Sequence, residues 1–255
     1  MAETTSDRVL SVLTLFAGDQ PEWTVEEAAE ALGLPVSTAY RYFRSLAKSG
    51  LLIPHVPGRY LLGPAIIQLD RQLQQHDPFI TAARPEMLRL AGDIGDTVIL
   101  LARLYRNTVM CVHQESAGSL SIGEGYERGR PMPLDRGAAS KAILANLPPR
   151  TARALALPDE NGAVPLTMND ALRAELRQIR MQGFSITHAE IERGIRGFSV
   201  PVFRPGQVLE GSLSVVLPDT RPDTRSVIDA LIQSRKVVEA NLAVRATAQL
   251  TDLQA

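Results

Sequence analysis

The chain has 255 residues, 45% hydrophobic and 22% charged, with 27 Lys and Arg against 28 Asp and Glu. This is a globular composition, long enough for one or two domains with sizeable cores. The single cysteine, Cys111, excludes an internal disulfide and suits a reducing compartment. No apolar run approaches the ~18 residues needed to span a bilayer. Met1–Arg8 is polar and lacks the apolar stretch of a signal peptide. The expectation is a soluble, cytoplasmic protein with no membrane partner.

Asp7–Gly18 reads as a first helix, with Val9, Leu10, Val12, Leu13 and Phe16 on its apolar face. A loop, Asp19–Trp23, follows around Pro21, with Trp23 packed where the next helix starts. That helix is Thr24–Leu32: Thr24 caps it, Glu27 stands at capping-box spacing, and Gly33 ends it. Pro35 suits the first turn of a third helix running to Lys48. Ala39, Phe43, Leu46 and Ala47 form its apolar face. Ser37, Thr38, Tyr40, Arg41, Arg44 and Lys48 form the other, with Ser37 and Thr38 free to cap or to meet phosphate. Gly50 ends the helix where a left-handed residue is wanted. Leu51–Ile53 and Tyr60–Leu62 flank the turn-rich Pro54–Arg59, which reads as a hairpin.

Helix, glycine-containing turn, helix and hairpin make a winged helix-turn-helix over residues 1–63. From Ala31 to Leu69 there is no Asp or Glu, while Arg41, Arg44, Lys48 and Arg59 are present. Such a local cationic face is the footprint of a nucleic-acid module. A solvated basic helix face is the bland alternative; the neighbouring helix and wing outweigh it.

Residues 64–76 hold a linker helix, Ala65–Gln75, ending before Asp77-Pro78. A signal-transmitting connector and a plain spacer fit it equally. Residues 77–255 form the second domain. It opens with a helix over Pro78–Gly92 that carries Leu88 and Leu90. Strands follow at Thr97–Leu104, Val109–Gln114 and Leu120–Ile122, then a charged loop at Glu124–Arg130. Helices come next at Ala138–Leu147, Arg150–Leu155 and Asn169–Met181, with a loop at Asn161–Pro165. Strands at Phe184–Thr187, Gly197–Phe203 and Glu210–Leu217 precede a terminal helix, Asp223–Leu250. Irregular alternation with short turns favours α+β with an antiparallel sheet over a doubly wound parallel one.

Taken together, these residues resemble the IclR-type bacterial transcription regulators over nearly the whole chain. The first half carries the likeness in LGLPVSTAYRYFRSLAKSGLL and GRYLLGP. The second carries it in RPMPLDRGAASKAILANLP, RQIRMQGFSITHAEIERGIRGFSVPV and GSLSVVLP. The resemblance implies a GAF-like effector-binding and oligomerisation domain at 77–255. It also implies a homodimer or dimer of dimers on double-stranded operator DNA, with a small organic-acid effector. The effector positions it carries over are Ala138, Ala139, Thr187, Ile195, Gly197, Ser214 and Val216. Ile122 and Met132 flank the loop that closes that site and add apolar lining. The family usually has an acidic residue at Thr187, a cysteine at Gly197, a serine at Val216 and a glycine at Ser140. The glycine at 197 and the valine at 216 point to an effector bulkier than a two- or three-carbon keto acid, such as an aromatic or branched acid; the alternative is that a neighbouring side chain fills the space at Gly197 and the pocket stays small.

An enzyme is the rival class. Ser121, His113 and Asp135 are an imaginable triad, but no G-x-S-x-G elbow surrounds a serine. His55, His76, His113 and His188 lack metal-ligand spacing, so neither a metal nor another cofactor is expected. Cys111 reads as a buried small hydrophobe; Lys141 could bind an anion, but alone on its helix it reads as a solvated cation. A GAF-like sensor that does not bind DNA is the third class; the acid-free basic stretch argues against it.

Overall fold

A computed structural model describes residues 4–120, 122–155, 166–221 and 224–252. The chain forms two compact units, Met1–Gln75 and His76–Ala255. The loop expected at Asn161–Pro165 and the start of the terminal helix at Asp223 lie outside the described residues.

In the first unit, α1 (Thr5–Leu15), α2 (Val25–Ala31) and α3 (Val36–Lys48) surround one core. A capping box starts α2 as expected: Thr24 and Glu27 satisfy each other's backbone N–H groups. On α1, Val9, Val12, Leu13 and Phe16 follow the helical repeat into the core. Leu10, placed on that face from sequence, lies off the stripe and is 58% exposed. On α3 the buried residues are Ala39, Tyr42, Phe43 and Leu46. Tyr42 thus takes the place expected for Ala47, because it completes the i, i+3, i+4, i+7 stripe. Pro35 stands at the N-cap rather than inside the first turn.

Strands β2 (Leu52–Pro54) and β3 (Arg59–Leu62) form the expected hairpin. A two-residue strand, β1 (Trp23–Thr24), pairs with the other edge of β3, where a plain loop was read. Two residues cannot show a period; the strand exists because the edge of β3 needs hydrogen-bond partners. The helix α4 (Ala65–His76) buries no residue, and Ile67, Leu69 and Leu73 stand more than half exposed.

The second unit is built on a six-stranded antiparallel sheet. Its helices α5 (Pro78–Ile94), α6 (Ala138–Asn146), α7 (Pro149–Ala154), α8 (Asp170–Gln182) and α9 (Thr224–Asp252) surround strands β4 (Thr97–Tyr105), β5 (Thr108–Ala117), β6 (Pro131–Met132), β7 (Ser185–His188), β8 (Ile195–Arg204) and β9 (Val208–Pro218). The strand order is β6-β5-β4-β9-β8-β7. Central β4 is buried from Thr97 to Ala102 because helices cover both faces of the sheet. Ile99, Leu101, Phe198, Val200, Leu213 and Val215 pack against α5 and α9. Val98, Leu100, Cys111, Ile195 and Val216 pack against α6 and α8. Along a strand successive side chains alternate between these two cores.

The strand expected at Leu120–Ile122 does not form at its described residues. The chain turns out of β5 at Gly118 (φ +81°), and Ser119 N–H donates to Asp96 Oδ1 at 3.0 Å. Leu120 and Ile122 pack against the α6-side core without joining the ladder. On α5, Leu90 is buried, whereas Leu88 lies off the stripe and is exposed.

Candidate functional site

Along α3, roughly 100° of turn per residue puts Ser37, Arg41, Arg44 and Lys48 on one arc. All four are exposed, opposite the buried Ala39–Leu46 stripe. Thr38 is half-buried, and Tyr40 is exposed at the edge of the arc nearest α2. Neither Ser37 nor Thr38 is the N-cap; Pro35 is, and it makes no side-chain cap bond. Lys48 lies in the last turn, where a cation favours the helix dipole.

The stretch is acid-free in sequence but not in space. Tyr40 Oη donates to Glu26 Oε1 at 3.1 Å. This bond, and then the carboxylate's charge, hold the phenol above its ordinary pKa. Arg59 Nη2 donates to Glu27 Oε1 at 3.2 Å, while Glu27 Oε2 accepts from Thr24 N–H at 2.9 Å. That backbone bond is the largest cause of Glu27's lowered pKa, with Arg59's charge helping against burial. His55 in the hairpin turn lies 3.8 Å from Glu22. The sequence places these acids outside the stretch; only the folding of α2 against α3 and the wing brings them in.

In the second unit the positions expected to line an effector site converge on the α6 face of the sheet. Thr187 pairs with Gly197, and Gly197 with Val216, across β7, β8 and β9. Met132, Ala139, Ile195 and Val216 share one buried cluster, with Ile122 packed against it. Ser214 is buried, and its hydroxyl donates to Ser199 Oγ at 2.8 Å. Ala138 comes down on Gly197: a Cβ there would lie 3.1 Å from Thr187 Oγ1 and 3.2 Å from Ala138 Cβ. The space a glycine leaves is therefore taken by its neighbours.

Three features escaped the sequence reading. Ser185 Oγ donates to Ala138 O at 2.6 Å, tying β7 to α6. Ser199, on β8, is the cross-strand partner of Ser214 and accepts from its hydroxyl. Lys141, read as solvated, is 5% exposed and held by Glu175 at 2.8 Å and Glu190 at 2.6 Å. Burial pushes its ammonium pKa down, and the bonds to Glu175 and Glu190 more than reverse this. Glu190 also accepts from Gly137 N–H at 2.9 Å, so the chain's own carboxylate sits where α6 begins. A GAxxK spacing hints at a lysine one turn into a helix. Nothing local shows that residues 175 and 190 reach it.

Of the imagined triad, His113 hydrogen-bonds Glu115 at 2.9 Å, Asp135 lies on the surface, and Ser121 lies outside the described residues. Cys111 is fully buried, and burial pushes its thiol pKa up to about 11. Among the described residues, no three His, Cys, Asp or Glu side chains group as metal ligands. Among the same residues no helix is long and apolar enough to cross a membrane.

Residues 5–53 match the family model of the IclR helix-turn-helix domain, and residues 71–241 that of the bacterial transcriptional regulator IclR C-terminal domain. The chain is 29% identical over 204 residues to a probable HTH-type transcriptional regulator ArcR of Halobacterium salinarum, spanning 78% of this chain and 77% of that one. It is 24% identical over 239 residues to the HTH-type transcriptional regulator KipR of Bacillus subtilis, spanning 89% and 94%. The fold matches an IclR transcriptional regulator from Alicyclobacillus acidocaldarius with a TM-score of 0.75 at 23% identity, covering 94% and 98%. It also matches an IclR homologue from Microbacterium hydrocarbonoxydans complexed with 4-hydroxybenzoate, with a TM-score of 0.77 at 23% identity, covering 94% and 99%.

Proposed function

The chain belongs to the IclR family of bacterial transcriptional regulators, and from that premise we propose that an aromatic or otherwise bulky organic acid controls its grip on an operator. In this reading α3 lies in the major groove. Tyr40 and Arg41, in its N-terminal half, face base edges. Ser37, Thr38, Arg44 and Lys48 meet phosphates, and Arg59 of the wing touches the backbone or the minor groove. The observation that carries it is the division of α3 into a buried apolar stripe and an exposed arc with two arginines and a lysine.

The effector lies against the α6 face of the sheet. Met132, Ala139, Ile195, Val216 and Ile122 supply apolar wall, and Thr187 and Ser214 the polar groups, a usual mixture for a ligand pocket. Backbone N–H groups at the start of α6, about Ala138, suit its carboxylate. Two facts support a bulky acid: Val216 stands where the family usually has a serine, which makes that wall apolar, and one structural neighbour holds 4-hydroxybenzoate. Because Thr187 and Ala138 close on Gly197, the ligand enters by displacing the first turn of α6 or the loop carrying Glu190 and Ile191. Two or four copies of the chain assemble on a palindromic operator.

The test is a thermal-shift screen of organic acids that includes 4-hydroxybenzoate and glyoxylate, each hit then assayed for its effect on DNA binding. Gly197→Leu overfills a site already in contact, which costs roughly 1–3 kcal/mol. It should abolish the ligand response and leave operator binding intact. An unaltered response in that variant, or tight binding of glyoxylate by the wild type, would overturn the pocket.

A further inference from the structure

We propose that Glu26 fixes the hydrogen-bonding polarity of Tyr40, so that Tyr40 reads a base presenting an exocyclic amine in the major groove. The inference rests on the groove assignment of α3 given above.

Tyr40 stands in the N-terminal half of α3 with its side chain 52% exposed. An aromatic ring left this open, while Tyr42, Phe43 and Leu46 of the same helix are buried, is available to a partner. Its hydroxyl proton is not. Oη donates to Glu26 Oε1, in the first turn of α2, at 3.1 Å. The other carboxylate of that turn, Glu27, is committed to Thr24 and Arg59. The two acids therefore have separate duties: Glu27 closes the helix cap and holds the wing, and Glu26 holds Tyr40.

A phenol has one donor and two acceptor lone pairs. Ionised, Glu26 can only accept, so across their 3.1 Å contact the phenol turns its proton toward Glu26. The face that Tyr40 turns to DNA is then an acceptor only. In the major groove the donors are adenine N6 and cytosine N4, while guanine O6 and N7 and thymine O4 accept. Every base pair carries one amine, so the selection is one of orientation. On the strand nearest α3, adenine or cytosine is favoured, and inverting that pair sets a keto oxygen against the phenol oxygen. The Glu26 charge adds to the repulsion.

The experiment uses the full-length chain and a duplex that the wild type selects from a random pool. Each base pair is then inverted singly and the affinity measured. Wild type should show one pair where inversion is penalised by roughly 3–10-fold, the size of a single hydrogen bond, with adenine or cytosine on the read strand. Tyr40→Phe and Glu26→Ala should each erase that penalty at the same pair, and the double variant should go no further. Glu30→Ala, which removes another exposed carboxylate of α2, should leave the penalty in place.

The inference is overturned if Glu26→Ala keeps a penalty that Tyr40→Phe removes, or if the read base is guanine or thymine. It is also overturned if neither Tyr40→Phe nor Tyr40→Ala alters any pair while Arg41→Ala does; the groove assignment then survives without it. If the wild type selects no duplex, or if Tyr40→Ala, Arg41→Ala and Arg44→Ala all bind as the wild type does, the groove assignment itself falls.

Discussion

At the scale of single residues, position along α3 divides its basic groups into two kinds in the proposed reading. Arg41 lies in the N-terminal half of the helix, which in that reading reaches base edges, and Lys48 lies in the last turn. Arg41→Ala is expected to cost about 1–3 kcal/mol at the operator and to relax specificity at one position. Lys48→Ala should weaken all duplexes evenly and reduce the slope of log affinity against log salt by about one. A salt titration of both variants on specific and scrambled DNA separates these outcomes, and an Arg41→Ala variant that keeps full specificity contradicts the assignment. Gly63 shows a different residue-scale constraint. Its N–H donates to Leu51 O at 2.8 Å, and an added Cβ would lie 2.1 Å from Gly50 O. Gly63→Ala must therefore push the wing off the end of α3. Overpacking of this kind costs roughly 1–3 kcal/mol, so the variant should melt earlier in its DNA-binding half, as far-UV dichroism would report.

At the scale of elements, α4 buries nothing while exposing Ile67, Leu69 and Leu73. Leu69 and Leu73 are four apart and lie on one face. A helix with such a stripe either tolerates its exposure or meets a second copy. The proposed dimer takes the second course. Leu69→Asp with Leu73→Asp is expected to reduce palindrome affinity by ten-fold or more, on the order of the cost of burying charge in an apolar contact, while binding to a single half-site is unchanged. Equal losses on both duplexes would remove α4 from the dimer contact. The capping box of α2 adds a pH dependence. Glu27's pKa is lowered in the folded chain, so its contribution is present above its unfolded value and is lost as pH falls through the folded one. Melting curves taken from neutral to acid pH should thus show a decline below about pH 4.5 that Glu27→Gln flattens.

At the scale of the whole molecule, the sequence by itself determined what depends on near neighbours. Periodicity, caps and turn residues placed most helices and strands, because those signals act within a few residues along the chain. The capping box at Thr24 and Glu27, the hairpin after Gly50 and the buried stripe of α3 are all local, and motifs in a fixed order identified the family. Two-residue strands such as β1 and β6 were not legible, since they exist only to complete the edges of strands formed elsewhere. Leu120 and Ile122 have strand-like composition, but the turn at Gly118 takes them out of the ladder. Charge was where the sequence misled most. It read 31–69 as free of acid, yet Glu22, Glu26 and Glu27 fold against His55, Tyr40 and Arg59. It read Lys141 as solvated, yet Glu175 and Glu190 converge on it from α8 and from the loop after β7. Electrostatic partners depend on distance in space rather than along the chain. Only the tertiary structure could decide which charges are paired, and so which of the chain's polar groups remain to meet DNA or a ligand.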